Sequence, residues 1–380
     1  MIPSAGTPIR LGEIARACFS PDDFEEKMRR VLGVRHAFAV NSGTTAFYLI
    51  LRALKRLSRR GEVVLPAYTA PSLILPVQKA GLEYRLADIS LDTFNMDISK
   101  AAGALGGDTL AVLCVHMFGL PMEMGKPEEL GGAFVIEDAA SSFGTKIGGR
   151  FSGTAADAGF ISFNRGKNLS TAAGGFITTG NEALAAALRD ETGGLASSGR
   201  MKRAGICLKA FGLSLAVRPW FYTVFRQALS GFRHTSLHEG FESFRYTRFQ
   251  GALGCLLLKR SEEIFRGRKE KGAMLHEALR HEKGIRLPVL PEGCDIVFNQ
   301  FPLLVEDPKK RMAVLRAVEK AGLEATILYD RPIHKIYGGP QGYPNAEYMA
   351  ERLVLIPVHH YVTPGSLGRA VEAVRRALRS

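Results

Sequence analysis

The chain has no uninterrupted apolar run near the ~18 residues that a membrane-spanning helix needs, and its opening stretch, MIPSAGTPIRLGEIAR, carries no apolar signal core. Both absences set the expectation of a cytoplasmic protein. Cysteine is scarce: Cys18, Cys114, Cys207, Cys255 and Cys294 are odd in number and far apart. They form no zinc or iron–sulfur spacing and read as reduced thiols, most of them packing residues. Tryptophan occurs once, at Trp220. Acid is missing altogether between Glu191 and Glu239, where Arg200, Lys202, Arg203, Lys209, Arg218, Arg226 and Arg233 all fall. Internal repeats and low-complexity tails are absent too.

What is present belongs to an ordinary folded chain. Its 380 residues are 46% hydrophobic and 23% charged, enough to bury a large core and to exclude a disordered polyelectrolyte. Basic residues outnumber acidic ones by 50 to 37, a formal charge of +13. That balance suits anionic partners such as nucleic acid, a membrane face or a phosphorylated small molecule. No helix-turn-helix, zinc-finger or RNA-stacking signature accompanies it, which argues against nucleic acid.

Short β-rich runs alternate with helical patterns through the first two thirds. HAFAV leads through a glycine turn into TTAFYLILRALKRL; EVVLP, PSLILPVQKAG and EYRLAD form a second strand–helix–strand unit. TLAVLCVH and AFVIED are continuous apolar runs, the form of strands covered on both faces. This is an α/β layer architecture with right-handed crossovers. After about residue 260 a charged helix leads into IVFNQFPLLVE and two further helices, the pattern of a smaller α+β unit. The expected division is a large domain over 1–260 and a small one over 261–380. The acid-free stretch, about 198–236, stands as a basic helical insertion holding RPWFYTVF. It suits an anionic membrane surface; it also suits a cover over the active site or a subunit interface.

Four segments carry chemistry. NSGTTA, residues 41–46, lies between a strand and a helix, where backbone N–H groups and Gly43 make a phosphate cradle or a plain helix cap. Asp138 ends the apolar run VIED, at the strand edge where ligands of open α/β sheets bind; a carboxylate there caps a helix or pairs with a cationic ligand atom. ISFN places Ser162 beside SFNRGKNLSTAAGG, which holds Lys167 among small residues. A partly desolvated lysine has a lowered pKa and can form a Schiff base with a carbonyl. Cradle, carboxylate, hydroxyl and amine are the set that pyridoxal phosphate requires.

With VNSGTTA, VVLPAYTAPS, VHMFGLP, the long block VIEDAASSFGTKIGGRFSGTAADAGFISFNRGKNLSTAAGGFITT, FRYTRFQGALG and RPIHKIYGGPQGYPNAEYMAERLVLIPVHH, the chain resembles the DegT/DnrJ/EryC1/StrS family of sugar aminotransferases. The resemblance implies a fold-type I pyridoxal-phosphate transferase. Lys167 would be the Schiff-base lysine and proton-transfer base, and Asp138 the partner of the pyridinium nitrogen. Gly43, Thr44 and Ser162 would contact the phosphate. It implies a homodimer in which SFRYTRFQGALG reaches into the neighbour's site, with His334 near the substrate mouth. The chain departs from the family at three positions. Ser141 stands where Gln or His is usual near the ring. Ala70 replaces a stacking aromatic, a role open to Tyr68. Ser243 replaces the asparagine that meets phosphate from the other subunit, while Arg245 is kept. Dehydratases of the family replace the lysine by histidine, so Lys167 favours transamination.

The resemblance implies an amino-acid donor, glutamate, and a keto-sugar acceptor carried on a nucleotide diphosphate. A cyclitol or a lipid-linked sugar is an alternative acceptor, and a non-catalytic regulatory protein of the same fold is a rival class. His359 and His360 are adjacent, which is not the spacing of a helical metal pair, so no metal is expected.

Overall fold

All seven residues of the run TLAVLCV are buried. An alternating pattern would be wrong for such a strand, because helices cover both faces of the sheet it centres. The computed structural model describes residues 1–6, 8–125, 129–225, 240–339 and 342–379. Two helices, α1 (Leu11–Ala17) and α2 (Phe24–Leu32), lead into the large sheet. The sheet contains β1 (His36–Val40), β2 (Glu62–Pro66), β3 (Glu83–Ala87), β4 (Thr109–Val115) and β5 (Phe134–Asp138). A small hairpin, β6 (Lys146–Ile147) and β7 (Arg150–Phe151), precedes β8 (Ala158–Ser162) and β9 (Gly175–Thr179), which complete it. The strand order is β1-β9-β8-β5-β4-β2-β3. Strand β9 is antiparallel to both neighbours and every other pairing is parallel, so one edge of the sheet collects the C-terminal ends of the parallel strands.

Crossovers come from α3 (Gly43–Leu57), α4 (Ile74–Lys79) and α5 (Ile98–Ala104). In α3 the residues Ala46, Phe47, Ile50, Ala53 and Leu54 recur at helical spacing and are fully buried, so the helix lies flat on the sheet. The segment expected as one helix from Pro71 is a short 3-10 turn followed by α4. Pro76 lacks the N–H that a continuous helix would use.

After β9 come α6 (Glu182–Gly193), then α7 (Arg200–Ala216) and α8 (Pro219–Phe225), which occupy the basic insertion. Arg226, Arg233 and the remainder of that insertion lie outside the described residues. The chain returns through α9 (Arg248–Leu258) and the long α10 (Ser261–Leu279). Then follow β10 (Ile285–Arg286), β11 (Cys294–Asp295), β12 (Phe301–Val305), α11 (Pro308–Lys320), α12 (Ile333–Tyr337), α13 (Pro344–Arg352), β13 (Leu353–Ile356) and α14 (Pro364–Arg379). Strands β10, β12 and β13 form a second, antiparallel sheet. One apolar cluster runs from Val40 in the large sheet to Val374 in α14, so the two sheets share a core.

Candidate active site

The C-terminal ends of three strands, β5, β8 and β1, build the site. β5 ends in Asp138, β8 ends in Ser162, and β1 leads through Asn41 and Ser42 into α3. Gly43 starts that helix against Ser162: a Cβ there would stand 3.1 Å from the serine's own Cβ. The Ser42 hydroxyl accepts from the Thr45 amide at 3.0 Å. The first amides of a helix have no acceptor within it, so the pole of α3 is positive where it meets Ser162.

Lys167 lies five residues beyond β8 in a loop of small residues. Its Nζ donates to the Ser141 hydroxyl at 3.1 Å. Burial pulls the pKa of Lys167 below the ordinary lysine range, and the negative charge of Asp138 partly opposes that. Burial pushes the Asp138 carboxyl up; the Ala140 amide, donating at 2.8 Å, and the charge of Lys167 pull it back. The two groups thus feel each other's charge with no salt bridge between them.

Beneath Asp138 lies a second carboxylate. Glu137 has no exposed surface and accepts from the amides of Gly153, Ala155 and Ala156 at 2.6–2.8 Å. His116 meets it through Nε2 at 3.0 Å, while the Met122 amide donates to His116 Nδ1. Because Nδ1 accepts, the ring proton sits on Nε2 and points at Glu137. Burial alone would raise this carboxyl, but its His116 bond and amides hold it below its ordinary value.

The other expected residues fall into two groups. Thr44 stands half-exposed on the first turn of α3. Ser243 is half-buried, its Oγ 3.5 Å from Thr45 Oγ1 of the same chain. Arg245 donates to the carbonyls of Leu195 at 3.0 Å and Gly193 at 2.7 Å, so its guanidinium closes the end of α6. Tyr68 has no exposed surface, and its hydroxyl donates to the Tyr329 carbonyl at 3.2 Å. Its ring lies beside that of Tyr329, 5.7 Å between centroids. Tyr329 is the aromatic within the field of Asp138; burial, and then that charge, raise its pKa.

His334, on α12, is 4% exposed. Its Nε2 pairs with Glu347 at 2.9 Å, and its Nδ1 has no partner among the described residues. The Ile333 amide donates to the Ala67 carbonyl, so α12 docks at the end of β2 beside Thr69. The Thr69 hydroxyl is likewise buried without a partner. Two unsatisfied polar atoms near one strand end are costly unless water or a ligand meets them. Sequence reasoning missed Tyr329, Thr69 and the His116–Glu137 pair; the buried pair had a signal, since a histidine and a glutamate each end a continuous apolar run.

The profile of the DegT/DnrJ/EryC1/StrS aminotransferase family matches residues 17–375. The chain belongs to this family. The DegT-family relatives include the spore coat polysaccharide biosynthesis protein SpsC of Bacillus subtilis, 28% identical over 93% of this chain and 88% of that protein. GDP-perosamine synthase of Caulobacter vibrioides is 30% identical over 65% of this chain and 58% of its own. The crystal structure of the sugar aminotransferase CalS13 from Micromonospora echinospora superposes with a TM-score of 0.79, covering 99% of this chain and 100% of the other at 22% identity. The protein is accordingly a sugar aminotransferase that uses pyridoxal phosphate. The donor set fits that cofactor: a buried carboxylate, a positive helix pole, a hydroxyl and an amine with lowered pKa share one strand edge.

Proposed function

We propose that the enzyme moves an amino group from an amino acid, glutamate, to the keto carbon of a nucleotide-linked sugar. The observation that carries this reading is Lys167, half-buried, bonded to Ser141 and within the field of Asp138. Residues 1–260 would hold the cofactor, and 261–380 would supply Tyr329 and His334 to the substrate side. When bound, pyridoxal phosphate supplies an electron sink for the negative charge that develops on the reacting carbon.

The side chains do the rest. The pole of α3 with Gly43, Thr44 and Ser162 would hold the phosphate. Asp138, as the anion, would keep a proton on the ring nitrogen, which makes the sink effective. Lys167, whose pKa burial lowers, would take the proton from the donor's α-carbon at Nζ and later return one to the sugar. Ser141 orients that Nζ. His334 and Thr69, each with an unsatisfied atom, are suited to hydroxyls of the sugar. The surplus of basic residues suits a diphosphate-bearing acceptor. The names of the relatives support a polysaccharide or nucleotide-sugar role. A homodimer with shared sites accords with the family.

The test is the visible absorption of the purified protein with added pyridoxal phosphate, followed by glutamate, with Lys167→Ala alongside. A band that needs Lys167 and bleaches with glutamate supports the reading. A panel of nucleotide-linked keto sugars then identifies the acceptor. No lysine-dependent band would sink the proposal at its first step.

A further inference from the structure

Helix α7 has two apolar faces. Ile206, Ala210 and Leu213 turn inward and are buried. On the opposite side Met201, Leu208 and Phe211, spaced by seven and three residues, are 89%, 71% and 45% exposed. Helix α8 continues the outer surface with Trp220 at 62% and Val224 at 72%, one turn apart. A surface helix ordinarily shows water its polar face, and contiguous exposed apolar side chains mark a contact surface. This surface is held to the body of the protein, since α7 packs on α1 and the Tyr222 hydroxyl bonds Glu324.

Charge decides what the surface meets. Arg200, Arg203, Lys209 and Arg218 lie on or beside these two helices, with no acidic residue from 192 to 238; Lys202 is paired with Glu242. A second copy meeting this face through its own would set cations against cations. A spanning role fails, because no described helix is long and apolar enough to cross a membrane. An apolar stripe flanked by cations, with tryptophan at its rim, is the build of a helix lying in the plane of a lipid interface.

We propose that the outer face of α7 and α8 docks on an anionic bilayer surface. Leu208, Phe211 and Trp220 enter the boundary between headgroups and acyl chains, and Arg200, Lys209 and Arg218 meet the lipid phosphates. The docked surface adjoins the Lys167 loop: the exposed Lys209 feels the charge of Arg165, two residues before the lysine. The enzyme would then work with its site close to the membrane plane.

Trp220 is the only tryptophan, so its emission reports the contact directly. The protein is mixed with vesicles of phosphatidylcholine alone and of equal parts phosphatidylcholine and phosphatidylglycerol. Co-sedimentation and a blue shift of emission are expected with the anionic vesicles only, and both should weaken as salt is raised. Leu208→Gln with Phe211→Gln should abolish the blue shift. Arg200→Gln, Lys209→Gln and Arg218→Gln together should lower partitioning about a hundred-fold, three cations each acting near the surface. Circular dichroism checks that each variant folds; if the apolar variant does not, the charge variant alone decides. Three outcomes overturn the proposal: no binding to either vesicle, equal binding to both, or a blue shift that follows protein concentration without vesicles. The last would assign the face to a second copy of this chain.

Discussion

Glu137 and Asp138 are adjacent carboxylates with opposite environments. Glu137 collects three amides and the His116 ring inside the protein, whereas Asp138 has one amide and the field of a lysine. Removing the charge of Glu137 leaves inward-pointing donors poorly met, so Glu137→Gln should destabilise the fold by about 3 kcal/mol. The sign with pH follows from its lowered value. Its contribution is present above the ordinary carboxylate range and is lost as pH falls through the depressed folded value. Urea unfolding between neutral and acid pH should therefore show a shallower loss in the variant than in the parent. Equal stability at neutral pH would show the buried charge to be immaterial. At this scale the sequence was legible where one residue type was out of place: Lys167 among small residues, and Asp138 at the end of an apolar run. Tyr329 and Thr69 were not legible, because what marks them is a neighbour far along the chain.

At the scale of elements, the junction of β9 with α3 is set by close backbone approach. A Cβ on Gly175 would stand 2.1 Å from the Ser42 carbonyl oxygen, which belongs to the cap of α3. Gly175→Ala must push that cap, with an expected cost of about 2 kcal/mol and weaker binding of pyridoxal phosphate, read by unfolding and by cofactor titration. Unchanged cofactor affinity would detach the cap from the cradle role. Arg245 offers a sharper contrast. The resemblance sends it toward a neighbour's site, yet here it closes α6. Arg245→Ala should lower stability by about 1 kcal/mol through the lost carbonyl bonds, with cofactor affinity unchanged. A loss of affinity at full stability would favour the contact across subunits. Strands β4 and β5 were legible because both-face burial leaves a continuous apolar run. The outer face of α7 was not: an apolar residue every third or fourth position looks the same in sequence whether a core or a lipid surface receives it.

Across the whole molecule, the first six residues join the small sheet to the Lys167 loop. Ile2 exchanges backbone bonds with Gly322 and Glu324, Gln300 donates to the Ser4 carbonyl, and Arg268 donates to that of Gly6. His359 holds the Pro3 carbonyl at 2.8 Å, with Gly6 close under its ring. Ala5 rests against Gly166, beside the lysine; a Cβ on that glycine would stand 3.3 Å away. His359, which with its neighbour offered nothing as a metal ligand in sequence, thus anchors a strap against the Lys167 loop. Burial pulls His359 well below its ordinary value, with nearby cations adding to the effect. A histidine whose folded pKa is depressed stabilises the protein above its unfolded value and loses that contribution as pH falls below it. His359 should lower the unfolding free energy by about 1.4 kcal/mol per pH unit once the solution is more acidic than ~6.5. Urea unfolding from pH 7 to pH 5 should show this slope, reduced in His359→Asn. Because the strap rests on the Lys167 loop, transamination should fade over the same interval before global unfolding sets in. A slope unchanged by the substitution would assign the acid response to other groups and leave the strap without a role in it.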